Sequence, residues 1–146
     1  MGGSTMTRRV SSGTPWEPVA GYSRAVAAGD FVFVAGCTSM DGREFLHAGD
    51  AYAQTAQAIS NVAAALAELG AGLPDVVRTR IYVTDISRWQ EYGRAHAAAF
   101  GDVRPALSMI GVAALVDPRM LVEVEALAYR PGVGTGQPGT GPGDMG

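Results

Sequence analysis

The chain has 146 residues, 47% apolar and 17% charged, with a net charge of −3 and one cysteine. That suits a single compact domain and rules out an intrachain disulfide or a multi-cysteine metal site. No apolar run spans a bilayer, no secretory signal opens the chain, and the eleven Lys and Arg side chains are scattered, so a soluble cytoplasmic protein without membrane or nucleic-acid partners is expected.

Residues 1–14 read as a flexible leader ahead of a domain over residues 15–130. Phe31 to Ala35 is a continuous apolar run closed by Gly36, which suits a buried strand. Asp41-Gly42 marks a hairpin turn toward Glu44–Leu46. Asp50 then offers a cap for a helix from Ala51 to Leu69, along which Ile59, Val62, Leu66 and Leu69 recur at helical spacing. Gly70 and Gly72 end it. From Val77 to Thr84 the chain alternates, with Val77, Thr79, Ile81 and Val83 on one face and Arg78, Arg80, Tyr82 and Thr84 on the other. Ser87 with Gln90 forms a capping box for a second helix ending near Phe100. Two strands follow, about residues 106–115 and 120–130. The tail over residues 131–146 is too rich in Gly and Pro to offset its ordering entropy by burial, and disorder is expected there. The order β-β-β-α-β-α-β-β describes an α+β domain, a single mixed sheet with two helices packed on one face.

Four blocks of this sequence carry a resemblance. Gly21-Tyr22-Ser23-Arg24-Ala25-Val26 and Phe31-Val32-Phe33-Val34-Ala35-Gly36 stand near the front. Arg104-Pro105-Ala106-Leu107-Ser108-Met109 and Leu121-Val122-Glu123-Val124-Glu125-Ala126-Leu127-Ala128-Tyr129 stand near the end. In this order they resemble the Rid/YjgF family, whose best-known members hydrolyse reactive enamines and imines to ketones and ammonia. The resemblance covers nearly the whole domain. It implies the chorismate-mutase-like Rid fold and a homotrimer with inward-facing sheets, holding a small-molecule ligand in each intersubunit cleft. No cofactor is implied, and the isolated His47 and His96 do not suggest a metal.

In the family's deaminases an arginine follows Pro-Ala and clamps the substrate's carboxylate; here Leu107 takes that place. Strand alternation puts Leu107, Met109 and Gly111 on one face, and Glu123 and Glu125 on one face of the next strand. Carboxylates on an apolar strand need a partner or a purpose. By resemblance Glu123 positions the attacking water and Tyr22 caps the cleft. Structural readings stand beside these: solvent or an ion pair with Arg78, Arg80 or Arg104 for either glutamate, an interface aromatic for Tyr22. Gly36 lets a ligand approach the backbone closely. Cys37 is either a thiol in the cleft or a small buried hydrophobe. Ser108 offers its backbone N–H. Trp16 and Trp89 read as packing residues.

Leucine supplies no guanidinium fork. A cleft combining Leu107 and Met109 with Glu123 should therefore reject small anionic enamines and accept a neutral or cationic, more apolar ligand. Beside such neighbours a carboxyl group holds its proton more tightly than in water, which suits general acid–base work. Two functions follow. One is a Rid-like hydrolase (deaminase) of an enamine or imine with a less anionic substrate, using Glu123 and Tyr22. The alternative is a non-catalytic trimer of the same fold that binds a small metabolite.

Overall fold

Strand alternation and two amphipathic helices give the architecture of this protein, seen in a computed structural model that describes residues 6–136. The elements are β1 (Thr7–Val10), α1 (Trp16–Ala20), β2 (Ala25–Ala28), β3 (Phe31–Cys37), β4 (Met40–Asp41), β5 (Glu44–Phe45), α2 (Ala51–Glu68), β6 (Val76–Val83), α3 (Trp89–Phe100), β7 (Ala106–Gly111) and β8 (Val122–Tyr129). Six strands form one sheet in the order β1-β2-β3-β8-β6-β7, and β4-β5 is a separate hairpin. Among the described strands only β6 and β7 pair in parallel, and α3 supplies the crossover that parallel neighbours need. The sheet is mixed and the domain α+β, as the order of elements implied.

One sheet face is covered by α2 and α3. Ile59, Val62 and Leu66 of α2 press on Val32, Val34, Ile81, Val122 and Val124, all fully or nearly buried. Each such side chain contributes about 1.5–3 kcal/mol. Asp50 caps α2 by accepting from the Ala53 N–H at 2.9 Å. The cap before α3 is not Ser87: Asp85 accepts from the Ser87 N–H and hydroxyl, opening a 3₁₀ turn that runs into α3 at Trp89. Trp89 itself is exposed rather than packed. A register shift between Val76 and Arg78 leaves Val77 off the ladder, so Val76 rather than Val77 joins Thr79, Ile81 and Val83 on the helix side. The outer face, with Phe31, Phe33, Leu127 and Tyr129, is substantially apolar and open.

Both predicted floppy ends need correcting where they are described. Thr7–Val10, assigned to the leader, pairs antiparallel with Ala25–Ala28 as an edge strand. Its sequence lacks apolar alternation because backbone pairing holds it, helped by Arg8. The Arg8 guanidinium donates to the Leu69 carbonyl at 3.4 Å and the Val133 carbonyl at 3.0 Å. At the other end, Val133 is 3% exposed and belongs to the core. Gly134 donates to the Gly29 carbonyl at 2.7 Å, and a Cβ there would lie 2.4 Å from the Met6 carbonyl. The tail's first turn thus clasps the β1–β2 edge through its backbone, where small residues are required. The predicted leader and tail residues 1–5 and 137–146 lie outside the described residues.

Candidate active site

The site grows from a fault in the β3–β8 ladder. Val34 pairs with Ala126 but Cys37 with Val124, so β3 carries one residue too many and Ala35-Gly36 bulges out. Bulged carbonyls lose their ladder partners and need other donors. Arg24, 6% exposed, supplies them: its Nη1 donates to the Ala35 carbonyl at 3.1 Å and the Gly36 carbonyl at 2.6 Å. The same nitrogen lies 3.5 Å from the Cys37 Sγ, and Nη2 reaches the Tyr22 hydroxyl at 3.4 Å.

Arg24 is held in turn from the N-terminal loop. Its Nε donates to the Ser12 hydroxyl at 3.2 Å, and that hydroxyl donates to Glu17 at 2.5 Å. Glu17, 4% exposed, also accepts from the Ser11 and Thr14 hydroxyls and the Ser12 N–H. Burial pushes its carboxyl upward, but these four donors together outweigh it and bring the pKa down to about 2. Glu17 is therefore a fixed anion that anchors a fixed cation. Sequence spacing gives neither residue a role. The one available signal was a carboxylate in Trp16-Glu17-Pro18, close to three hydroxyl residues.

Glu123 lies directly over the bulge. A Cβ on Gly36 would sit 2.3 Å from its Oε2, so only glycine leaves this carboxylate room. Burial raises the Glu123 pKa above the ordinary 4.5, like-charged Glu125 adds to this, and Arg24 opposes it. No hydrogen bond among the described residues engages the carboxylate, which leaves it free to act. Cys37 is 3% exposed and donates to the Ala35 carbonyl; burial raises its pKa, so it is a protonated thiol and a poor nucleophile. Tyr22 follows Gly21, whose left-handed backbone (φ 75°) ends α1 and turns the phenol toward Arg24.

These groups share a cavity of about 560 Å³, also lined by Trp16, Val116 and Met120. Trp16 thus faces the cavity in addition to packing. Asp41, Glu68 and Glu123 line it against one cation, Arg24, four of whose contacts are already taken within the fold. The chain contains no lysine, its eleven basic residues all being arginine, so no side-chain amine can form a Schiff base with a carbonyl or imine. His96 is no base for this cavity: its ring bonds the Thr79 hydroxyl at 2.9 Å beneath α3, and burial lowers its pKa.

Of the sequence-predicted residues, Glu123, Tyr22, Gly36 and Cys37 come together here. Leu107, Ser108 and Met109 do not. They lie on β7, the far edge of the sheet, with β6 between them and β8. Register pairs Leu107 with Thr79 and Met109 with Ile81, both on the helix side, whereas Glu123 pairs with Tyr82 on the outer side. Within one chain Leu107 and Met109 therefore stay apart from Glu123, and the combination expected for an intersubunit cleft would need a second subunit. Ser108 shares the outer face, opposite Arg80. Glu125 is engaged structurally: it accepts from the Tyr82 hydroxyl at 2.9 Å and stands 3.9 Å from Arg80.

Comparison with known proteins matches these features to a family. The family described as Endoribonuclease L-PSP matches residues 13–130. An uncharacterized protein of Streptomyces coelicolor is 44% identical over 127 residues, 87% of this chain and 95% of the relative. The 3-aminoacrylate deaminase RutC of Acinetobacter baylyi is 32% identical over 118 residues, 80% of this chain and 92% of the relative. A crystal structure from Mycobacterium tuberculosis, a member of the YjgF/YER057c/UK114 family, superposes with a TM-score of 0.77 at 52% identity, covering 84% of this chain and 98% of that one. With the family match spanning most of the domain and the fold agreeing, this chain belongs to the Rid/YjgF family, also described as endoribonuclease L-PSP.

Proposed function

We propose that the protein is an enamine or imine hydrolase whose substrate carries no small clamped carboxylate. The observation that carries this is Glu123: a half-buried carboxyl group without a hydrogen bond among the described residues, placed over Gly36 and facing a cavity. In the reaction an imine and water give a ketone or aldehyde and ammonia. Glu123 takes a proton from water as its oxygen bonds to the imine carbon and the C=N π electrons move to nitrogen. Glu123 returns that proton to the nitrogen, giving an amino alcohol, then takes the hydroxyl proton as the C=O forms and passes it to the nitrogen, so that the C–N bond breaks and ammonia leaves. A carboxyl group whose pKa is lifted by burial serves both the acceptance and the return of the proton. Tyr22 can hold the water or the nitrogen through its hydroxyl. A relative named 3-aminoacrylate deaminase supports this reaction class.

The charge in the cavity supports the choice of substrate. Three acids face one arginine that is committed to the bulge carbonyls, which favours a neutral or cationic imine. The assembly we propose is a cytoplasmic homotrimer. Its apolar outer sheet face has no cover among the described residues, and Leu107 on the edge strand is 42% exposed. A trimer would bring Leu107, Ser108 and Met109 of one subunit to the Glu123 cavity of the next.

The test compares two generated substrates. An amine oxidase supplies imines without a carboxylate, and an amino acid oxidase supplies imino acids with one; ammonia release is followed in both. Faster release from the first class alone supports the proposal. Acceleration of imino acids only would overturn the substrate assignment, and acceleration of neither would favour a purely binding protein.

A further inference from the structure

We propose that Arg24 is the positioning residue of the hydrolytic site, a single buried guanidinium that fixes both the bulge beneath Glu123 and the phenol of Tyr22. This role rests on the reading of Glu123 as the proton carrier. Glu123 makes no hydrogen bond among the described residues, so no partner on its carboxylate fixes where it stands. Its floor does. Gly36 lies against the carboxylate, and Gly36 belongs to a bulge that the β3–β8 ladder does not hold. Arg24 holds it instead, with backbone and side chain together. The Arg24 carbonyl accepts from the Ala35 N–H at 2.9 Å, while Nη1 donates to the Ala35 and Gly36 carbonyls. Hydrogen bonds from a cation are roughly twice as strong as neutral ones, so the guanidinium dominates the shape of the bulge.

The same side chain reaches Tyr22. Nη2 lies 3.4 Å from the phenol oxygen, and the guanidinium carbon stands 5.6 Å from the ring centre, within cation–π range. One rigid planar group thus sets the floor of Glu123 and the phenol at once, which the single ammonium of a lysine cannot do. An arginine that shares a cavity with a carboxylate normally pairs with it. Here no ion pair joins Arg24 to Glu123 among the described residues. The donors of Arg24 are taken up by the bulge carbonyls, and through Nε the Ser12 hydroxyl links it to the buried anion Glu17. Glu17 serves as the counter-ion, so Glu123 stays unpaired and able to carry a proton.

Ammonia release from an amine-oxidase-generated imine, resolved into kcat and KM for the full chain, tests this with Arg24→Gln, Arg24→Lys, Ser12→Ala and Glu123→Gln. Arg24→Gln should lower kcat about 10- to 100-fold and move KM less than about threefold, because misplaced groups slow the chemistry while Arg24 does not hold the substrate. Arg24→Lys should recover part of kcat, since it keeps the charge and can reach one carbonyl. Ser12 is an exposed loop residue, and Ser12→Ala removes only the link between Glu17 and Arg24. It should lower kcat about three- to tenfold, and it decides the matter should Arg24→Gln fail to fold. A rise in KM alone would make Arg24 a substrate-binding group and overturn the positioning role. Near-native kcat in Arg24→Gln or Ser12→Ala, beside a Glu123→Gln protein that has lost turnover, would overturn this proposal and leave the hydrolase reading standing. Unchanged turnover in Glu123→Gln would overturn both.

Discussion

Glu17→Gln tests the network under the bulge. Glu17 sits in a shell of four donors, and its pKa falls from 4.5 to about 2. A depressed carboxyl pKa stabilises the folded state by an amount present above the unfolded pKa and lost as pH falls through the folded one. The drop corresponds to about 3 kcal/mol at neutral pH, an order-of-magnitude figure. Glutamine keeps the shape but offers one carbonyl and an amide that opposes the Ser12 and Thr14 donors. Urea unfolding of native and variant proteins at several pH values between 7 and 2 separates this from simple loss of packing. Above pH 5 the native protein should be more stable by about 2–3 kcal/mol, and the gap should close progressively from about 4.5 toward 2. A gap that stays constant over that window would refute the claim that Glu17 is a fixed anion. Arg24 depends on this shell through Ser12, so the variant should also loosen the Gly36 bulge, seen as faster amide exchange there.

Ending the chain at Arg130 should cost about 2–4 kcal/mol in urea unfolding, because Val133 leaves the core and Arg8 loses a carbonyl partner; unchanged stability would mean that the clasp is idle. Gly36→Ala should push Glu123 aside and lower hydrolysis by about 10²-fold or more with the fold retained, and a crystal structure of the variant would report the displaced carboxylate. Leu107→Arg should raise turnover of 2-aminoacrylate at least about tenfold if a neighbouring subunit's cavity lies against β7. No gain in a trimer confirmed by light scattering would remove β7 from the site.

The helices and central strands were legible because their apolar residues recur at the period of the element, as Ile59, Val62 and Leu66 or Thr79, Ile81 and Val83 do. What escaped the sequence is held by backbone and charge. Thr7–Val10 has no hydrophobic pattern because it is an edge strand tied by ladder bonds and Arg8. Pro131–Gly136 looks like a linker because its packing uses glycine contacts and one valine. In the site, Glu123, Tyr22 and Gly36 stood out through their surrounding blocks. Glu17 and Arg24 did not, since a buried charge network depends on chain crossings that spacing cannot report. The position of Leu107 relative to Glu123 depends on strand order, with β6 between β7 and β8, and alternation within each strand says nothing about that.

The central claim is that Glu123 carries the proton in imine hydrolysis. Ammonia release from an amine-oxidase-generated imine, compared between Glu123→Gln and Glu125→Gln proteins of unchanged oligomeric state, tests it most directly. Loss of the ionisable group should lower turnover by roughly 10²–10⁴-fold for Glu123→Gln, while Glu125→Gln, which breaks only the Tyr82 and Arg80 contacts, should change it little. Equal turnover in the two variants would contradict the account.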